Sequence, residues 1–73
     1  MLLKELQPGK RFMFEDRSTP LALAAPNRGS VPSMGTFELV KYAEYGCPVL
    51  RLSTGKEITL VSSTYFRSVL IIL

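Results

Sequence analysis

Seventy-three residues suffice for one small core, because a chain this short buries only about 60% of its unfolded surface. With 47% hydrophobic and 21% charged residues the composition excludes the charge-rich, apolar-poor class of disordered chains, and a single Cys excludes an intrachain disulfide. The expectation is one domain over residues 1–73, held by its core alone as in the reducing cytoplasm.

Nine Lys and Arg against six Asp and Glu give a formal charge of +3, scattered along the chain and compatible with anionic partners or with plain solubility. Mean hydropathy lies on the apolar side, which points to apolar surface reserved for a partner.

The opening "MLLKELQPGK" has too short an apolar run for a signal peptide. Its "LLKEL" is either a single helical turn or an extended arm. After Pro8-Gly9, "KRFMFE" alternates, with Phe12 and Phe14 on one side and Arg11, Met13 and Glu15 on the other, the period-two pattern of a half-buried strand. Residues 16–35, "DRSTPLALAAPNRGSVPSMG", hold three of the five prolines and read as a long loop, interrupted by "LALAA" as a short edge strand. A connection of this length is uncommon in a compact domain and is often functional.

"TFELVKYA" returns to strand character and runs into a turn at "EYGCPV". Its two faces are both apolar, Phe37 and Leu39 against Val40 and Tyr42, so this strand is either central or bulged. "VLRLSTGKEITLV" is a hairpin. A two-residue loop at Thr54-Gly55 would set Leu52 opposite Glu57 and Leu50 opposite Thr59. A three-residue loop, Ser53-Thr54-Gly55, instead pairs Leu50 with Ile58, Leu52 with Lys56 and Arg51 with Glu57, with Gly55 in the left-handed conformation. Beyond it, "SSTYF" suits one tight helical turn and "SVLIIL" a final strand. That apolar run is far short of the about 20 residues of a membrane span, so no membrane partner is expected.

Five or six short strands, a long early loop and tight later hairpins describe a mainly β domain, either a small closed barrel or a strongly curved antiparallel sheet. The Pro8-Gly9-Lys10-Arg11-Phe12 opening, the Gly55-Lys56-Glu57-Ile58 hairpin, the "SSTYF" turn and the terminal strand resemble the SH3-like small barrels, including small accessory proteins of bacteria and phages. The resemblance spans most of the chain and implies that residues 16–35 form the first large loop, bordering a binding face.

Catalytic chemistry finds little material. Without histidine the commonest acid–base group near neutral pH is missing. Gly46 and Pro48 offer nothing to activate Cys47, which reads as a small residue filling a turn. Glu15 and Asp16 are adjacent on a strand end and diverge. One sulfur with no imidazole makes no zinc site of ordinary composition, and neither "NRGS" nor "STGK" has phosphate-loop spacing. No catalytic residue, metal or cofactor is expected.

What remains is binding. Arg11, Lys41, Arg51 and Arg67 lie in strand-like segments among Tyr42, Tyr45 and Tyr65; with Arg17 and Arg28 of the long loop and Lys56 of the hairpin they form the candidate binding set. Phe12, Phe14, Phe37 and Phe66 are read as core, and the tyrosines as interface residues with the ring on apolar groups and the hydroxyl in water. The adopted reading is a non-catalytic module that docks onto a protein partner. The alternative is a nucleic-acid-binding barrel that stacks bases on aromatics and neutralises phosphates with cations; a homo-oligomer through the C-terminal strand is a further option.

Overall fold

The computed structural model describes residues 1–72, and Leu73, the last residue of the expected C-terminal strand, lies outside them. Alternation sets the first strand, β1 (Arg11–Phe14), with Phe12 and Phe14 fully buried and Arg11 exposed. Both rings meet Phe37 at the start of β4 (Phe37–Tyr42). Phe14 stands edge-on to Phe12 and to Phe37, with centroids 5.3 Å away in each case, and Phe12 stacks on Phe37 at 6.0 Å. Such edge and offset contacts add to the burial of aromatic area. Around the three rings pack Leu3, Leu6, Leu21, Leu39, Leu50, Ile58, Leu60 and Val69.

The three rings and Leu39, Leu50, Ile58 and Val69 come from a five-stranded antiparallel sheet in the order β6-β5-β4-β1-β7, where β5 is Pro48–Leu52, β6 is Glu57–Thr59 and β7 is Val69–Ile71, and Leu3, Leu6, Leu21 and Leu60 are added from outside it. The strand β4 is both central and bulged. Its pairing steps from Leu39↔Leu50 to Lys41↔Val49, leaving Val40 as the extra residue. Strict alternation from Phe37 and Leu39 would have turned Lys41 inward; the bulge keeps Lys41 in solvent and brings Tyr42 towards the core.

The β5–β6 hairpin adopts the three-residue loop. Leu50 faces Ile58 and Arg51 faces Glu57, the Leu52 amide donates to the Lys56 carbonyl at 2.8 Å, and Gly55 closes the turn at φ 92. Positive φ there is open to glycine at no steric cost. On the outer face Arg51 bridges Glu57 at 2.9 Å and Glu38 at 3.4 Å.

The segment 16–35 is more structured than a connection. Leu21–Ala22 (β2) and Ser30–Val31 (β3) pair as a second, two-stranded sheet, so the expected "LALAA" edge strand is present in part. Leu23 bridges to Leu60, and the Ala24 amide donates to the Thr59 carbonyl at 2.9 Å, which fastens this hairpin to the end of β6. Leu21 is buried in the common core. The loop's first turn is closed by Asp16, whose carboxylate accepts from the Thr19 hydroxyl at 2.7 Å, the Ser18 hydroxyl at 2.8 Å and both their amides.

Those donors, the Thr19 hydroxyl foremost and then that of Ser18, hold the Asp16 carboxyl well below the usual carboxylate range. A folded value below the unfolded one, about 3.9, contributes stability that is complete above about pH 4 and drains away as the pH falls further. Thermal unfolding of wild type and Asp16→Asn between pH 5 and pH 2 is therefore expected to show the steeper loss of Tm in wild type. Parallel curves would mean that the turn does not form in solution.

At the N-terminus both alternatives coexist in sequence. Leu2 bridges to Ser68 in extended form, and Leu3–Glu5 (η1) makes one 3-10 turn. Ser62–Phe66 (η3) is likewise a 3-10 turn before β7. Among the described residues no helix is long and apolar enough to cross a membrane.

Candidate binding site at the tyrosine end of the sheet

The C-terminal end of β4 and the start of β5 gather three short turns. Tyr42, turned inward by the bulge, places its hydroxyl 3.0 Å from the Leu3 carbonyl and 3.2 Å from that of Leu6, so one proton serves both ends of η1. Burial, and secondarily the neighbouring Tyr65, pushes the Tyr42 phenol above its ordinary pKa. Its ring lies 5.0 Å from that of Tyr65, which η3 supplies.

The third turn, Glu44–Gly46 (η2), closes on Tyr65. A Cβ built on Gly46 would stand 2.7 Å from Tyr65 Cε2 and 2.8 Å from its hydroxyl, and Gly46 has φ +74. Close approach and backbone conformation both require glycine here. Tyr45, just before it, is also left-handed, at φ 60 and ψ 21. That conformation costs a bulky L-residue on the order of 1–2 kcal/mol. Its side chain is 93% exposed, so no burial of the ring offsets the strain.

Phe66 completes this surface and is a correction to the sequence reading: expected in the core, it is 65% exposed, with Lys4 Nζ 5.2 Å from its ring centroid. The reason is the pitch of η3. With three residues per turn, burial of Thr64 leaves Phe66, two positions on, facing away from the core. Phe66 and Lys4 are the surface residues that the sequence reading did not single out; an aromatic at the end of a polar 3-10 turn was the available signal.

The structure packs Tyr42 on Tyr65 and places Tyr45 next to Gly46, which closes on Tyr65, but it does not gather the cations there. Arg51 is bound to two glutamates on the outer sheet face. Arg67 is part of the scaffold: its guanidinium lies 5.0 Å over the Phe14 ring and donates to the carbonyls of Asp16 at 3.0 Å, Thr19 at 3.1 Å and Pro20 at 3.3 Å. Arg17 reaches the Met13 sulfur at 3.4 Å. Arg11 stands at the start of β1 opposite Glu38, Arg28 is exposed between β2 and β3, and Lys56 is exposed in the β5–β6 turn. Lys41 alone of the set adjoins the tyrosines in the chain. Lys41 and Lys4 are matched in number by Glu5 of η1 and Glu44 of η2, so the side chains of these turns and the end of β4 carry little net charge.

Tyr42 departs from the expected hydroxyl-in-water role, its oxygen being spent on η1, whereas Tyr45 extends into solvent. Cys47 ends η2 as a half-buried residue whose amide donates to the Glu44 carbonyl at 3.4 Å. Among the described residues no three Cys, Asp or Glu side chains come together as a metal-ligand group. Comparison with protein-family models, with curated proteins and with solved structures gives no match.

Proposed function

We propose that this protein is a non-catalytic binding module, an accessory or regulatory protein that docks onto a protein partner through its tyrosine-bearing end. The observation that carries the reading is Tyr45: strained backbone holds a large aromatic ring almost wholly in solvent, and such strain is retained where the surrounding structure and a function over-determine it. Tyrosine is among the residues that dominate protein interfaces, where a single anchor contributes about 2 kcal/mol or more. Phe66 beside Lys4 widens the apolar surface.

The near-balanced charge of this end favours protein over nucleic acid. A strand-binding surface needs cations beside the stacking rings, and Arg51 and Arg67 are committed elsewhere. An SH3-like arrangement is our reading of the fold; its supports are the strand order β6-β5-β4-β1-β7, the long loop between β1 and β4, and the 3-10 turn before β7.

Tyr45→Asn separates docking from folding, because asparagine tolerates the left-handed region. The variant is expected to unfold at the same temperature as wild type or slightly higher, and to lose the proteins that immobilised wild type retains from a lysate of its source organism. Equal retention by both would remove Tyr45 from the interface. Retention of nucleic acid alone, with mobility shifts at low salt where phosphate attraction is strongest, would establish the alternative reading.

A further inference from the structure

A second surface lies at the other end of β4 and β5, where Phe37 faces Leu52. Three shallow depressions run together there. Val31, Pro32 and Met34 line both the first and the second, and Phe37, Leu52 and Ser53 line both the second and the third. The result is one groove with Arg17 at one end and Arg11 at the other. Its middle is apolar, and Met34 in it is 66% exposed.

Charge and backbone both select the occupant. Arg51, at the Arg11 end, is already paired with Glu38 and Glu57. Among the described residues, the groove cations without a carboxylate partner are therefore Arg11, and Arg17, whose own contact is the weak one to a thioether. Glu38 is the carboxylate that lines the groove. Along the Arg17 end runs β3, which pairs with β2 on one side and with no strand on the other among the described residues. The Leu23 amide bonds to the Gly29 carbonyl and Leu21 faces Val31. In an antiparallel ladder that alternation turns the N–H and C=O of Ser30, between them, to the open side. Unpaired strand groups of this kind recruit an extended chain.

We propose that this groove binds an extended segment of a partner protein in which apolar residues are flanked on both sides by carboxylates. Its backbone runs beside Ser30, its apolar side chains rest on Met34 and Leu52, and its carboxylates reach Arg17 and Arg11. The site is distinct from the tyrosine end and does not depend on it.

The test is titration of the full chain, labelled with nitrogen-15, with a capped hexapeptide of two leucines between two pairs of glutamates. Saturable amide shifts are expected at Ser30, Val31, Met34, Gly35, Leu52 and Ser53. The double variant Arg11→Gln, Arg17→Gln keeps the remaining spectrum and binds about tenfold more weakly, the loss of two exposed charge pairs. A peptide with glycines for the leucines does not bind. Absence of groove shifts at millimolar peptide, or equal binding when lysines replace the glutamates, would overturn the proposal. Shifts confined to Tyr45, Tyr65 and Phe66 would assign the peptide to the tyrosine end instead. Shifts of the groove residues with protein concentration alone would assign the groove to a second copy of the chain.

Discussion

Phe14→Ala is expected to lower the free energy of unfolding by about 4 kcal/mol, the cost of removing a large buried aromatic. For 73 residues the total stability is roughly 4–11 kcal/mol, so the variant retains between almost none and somewhat over half of it. Two features keep Phe14 well inside the roughly 3–5 kcal/mol range of such truncations. Its ring is edge-on to both Phe12 and Phe37 at 5.3 Å, and the Arg67 guanidinium lies over it. Without the ring, Arg67 loses the surface against which it reaches the carbonyls of Asp16, Thr19 and Pro20, and the start of the long loop loosens with the core. Urea unfolding followed by far-UV circular dichroism measures the change. A loss below about 1.5 kcal/mol would show that neighbours collapse into the vacated space and that the three rings are not the centre of the core.

Gly46→Ala is expected to cost about 2–3 kcal/mol although it adds only one methyl group at a half-buried position. An alanine at φ +74 carries the left-handed penalty, and its Cβ would overlap the Tyr65 ring at 2.7 Å. The ring must move, breaking its contact with Tyr42. The effect should therefore appear in the near-ultraviolet dichroism of the tyrosines as well as in urea unfolding. An unchanged tyrosine signal with full stability would mean that η2 and η3 do not touch in solution. The neighbouring Tyr45→Asn is expected to be neutral or slightly stabilising, while removing the residue proposed to dock. That contrast between adjacent positions separates the left-handed backbone that packing requires at Gly46 from the one that packing does not require at Tyr45.

Much of the sheet was legible because its signals are local. Phe12 and Phe14 alternate with polar neighbours, and a strand repeats every two residues. The β5–β6 register followed from comparing two loop lengths, since a slip of one residue exchanges the faces and only one choice set Leu50 on Ile58. Less of the candidate site was legible. The sequence marks the tyrosines as interface residues, but the cations grouped with them are spread over the outer sheet face, the long loop and the hairpin turns. Neither composition nor chain order reports where a long flexible side chain finds its acceptor.

The residues themselves determined a mainly β chain with its central strands, its tight hairpin at Ser53–Gly55 and its single turn before the last strand, because alternation and turn chemistry act over a few residues. Tertiary structure alone decided that Tyr42 turns inward at the Val40 bulge and meets Leu3, that Arg67 holds carbonyls up to 51 residues away, and that Phe66 faces solvent while Thr64 is buried. Each of these depends on which distant backbone groups need a partner once the sheet has formed, and no local pattern encodes that.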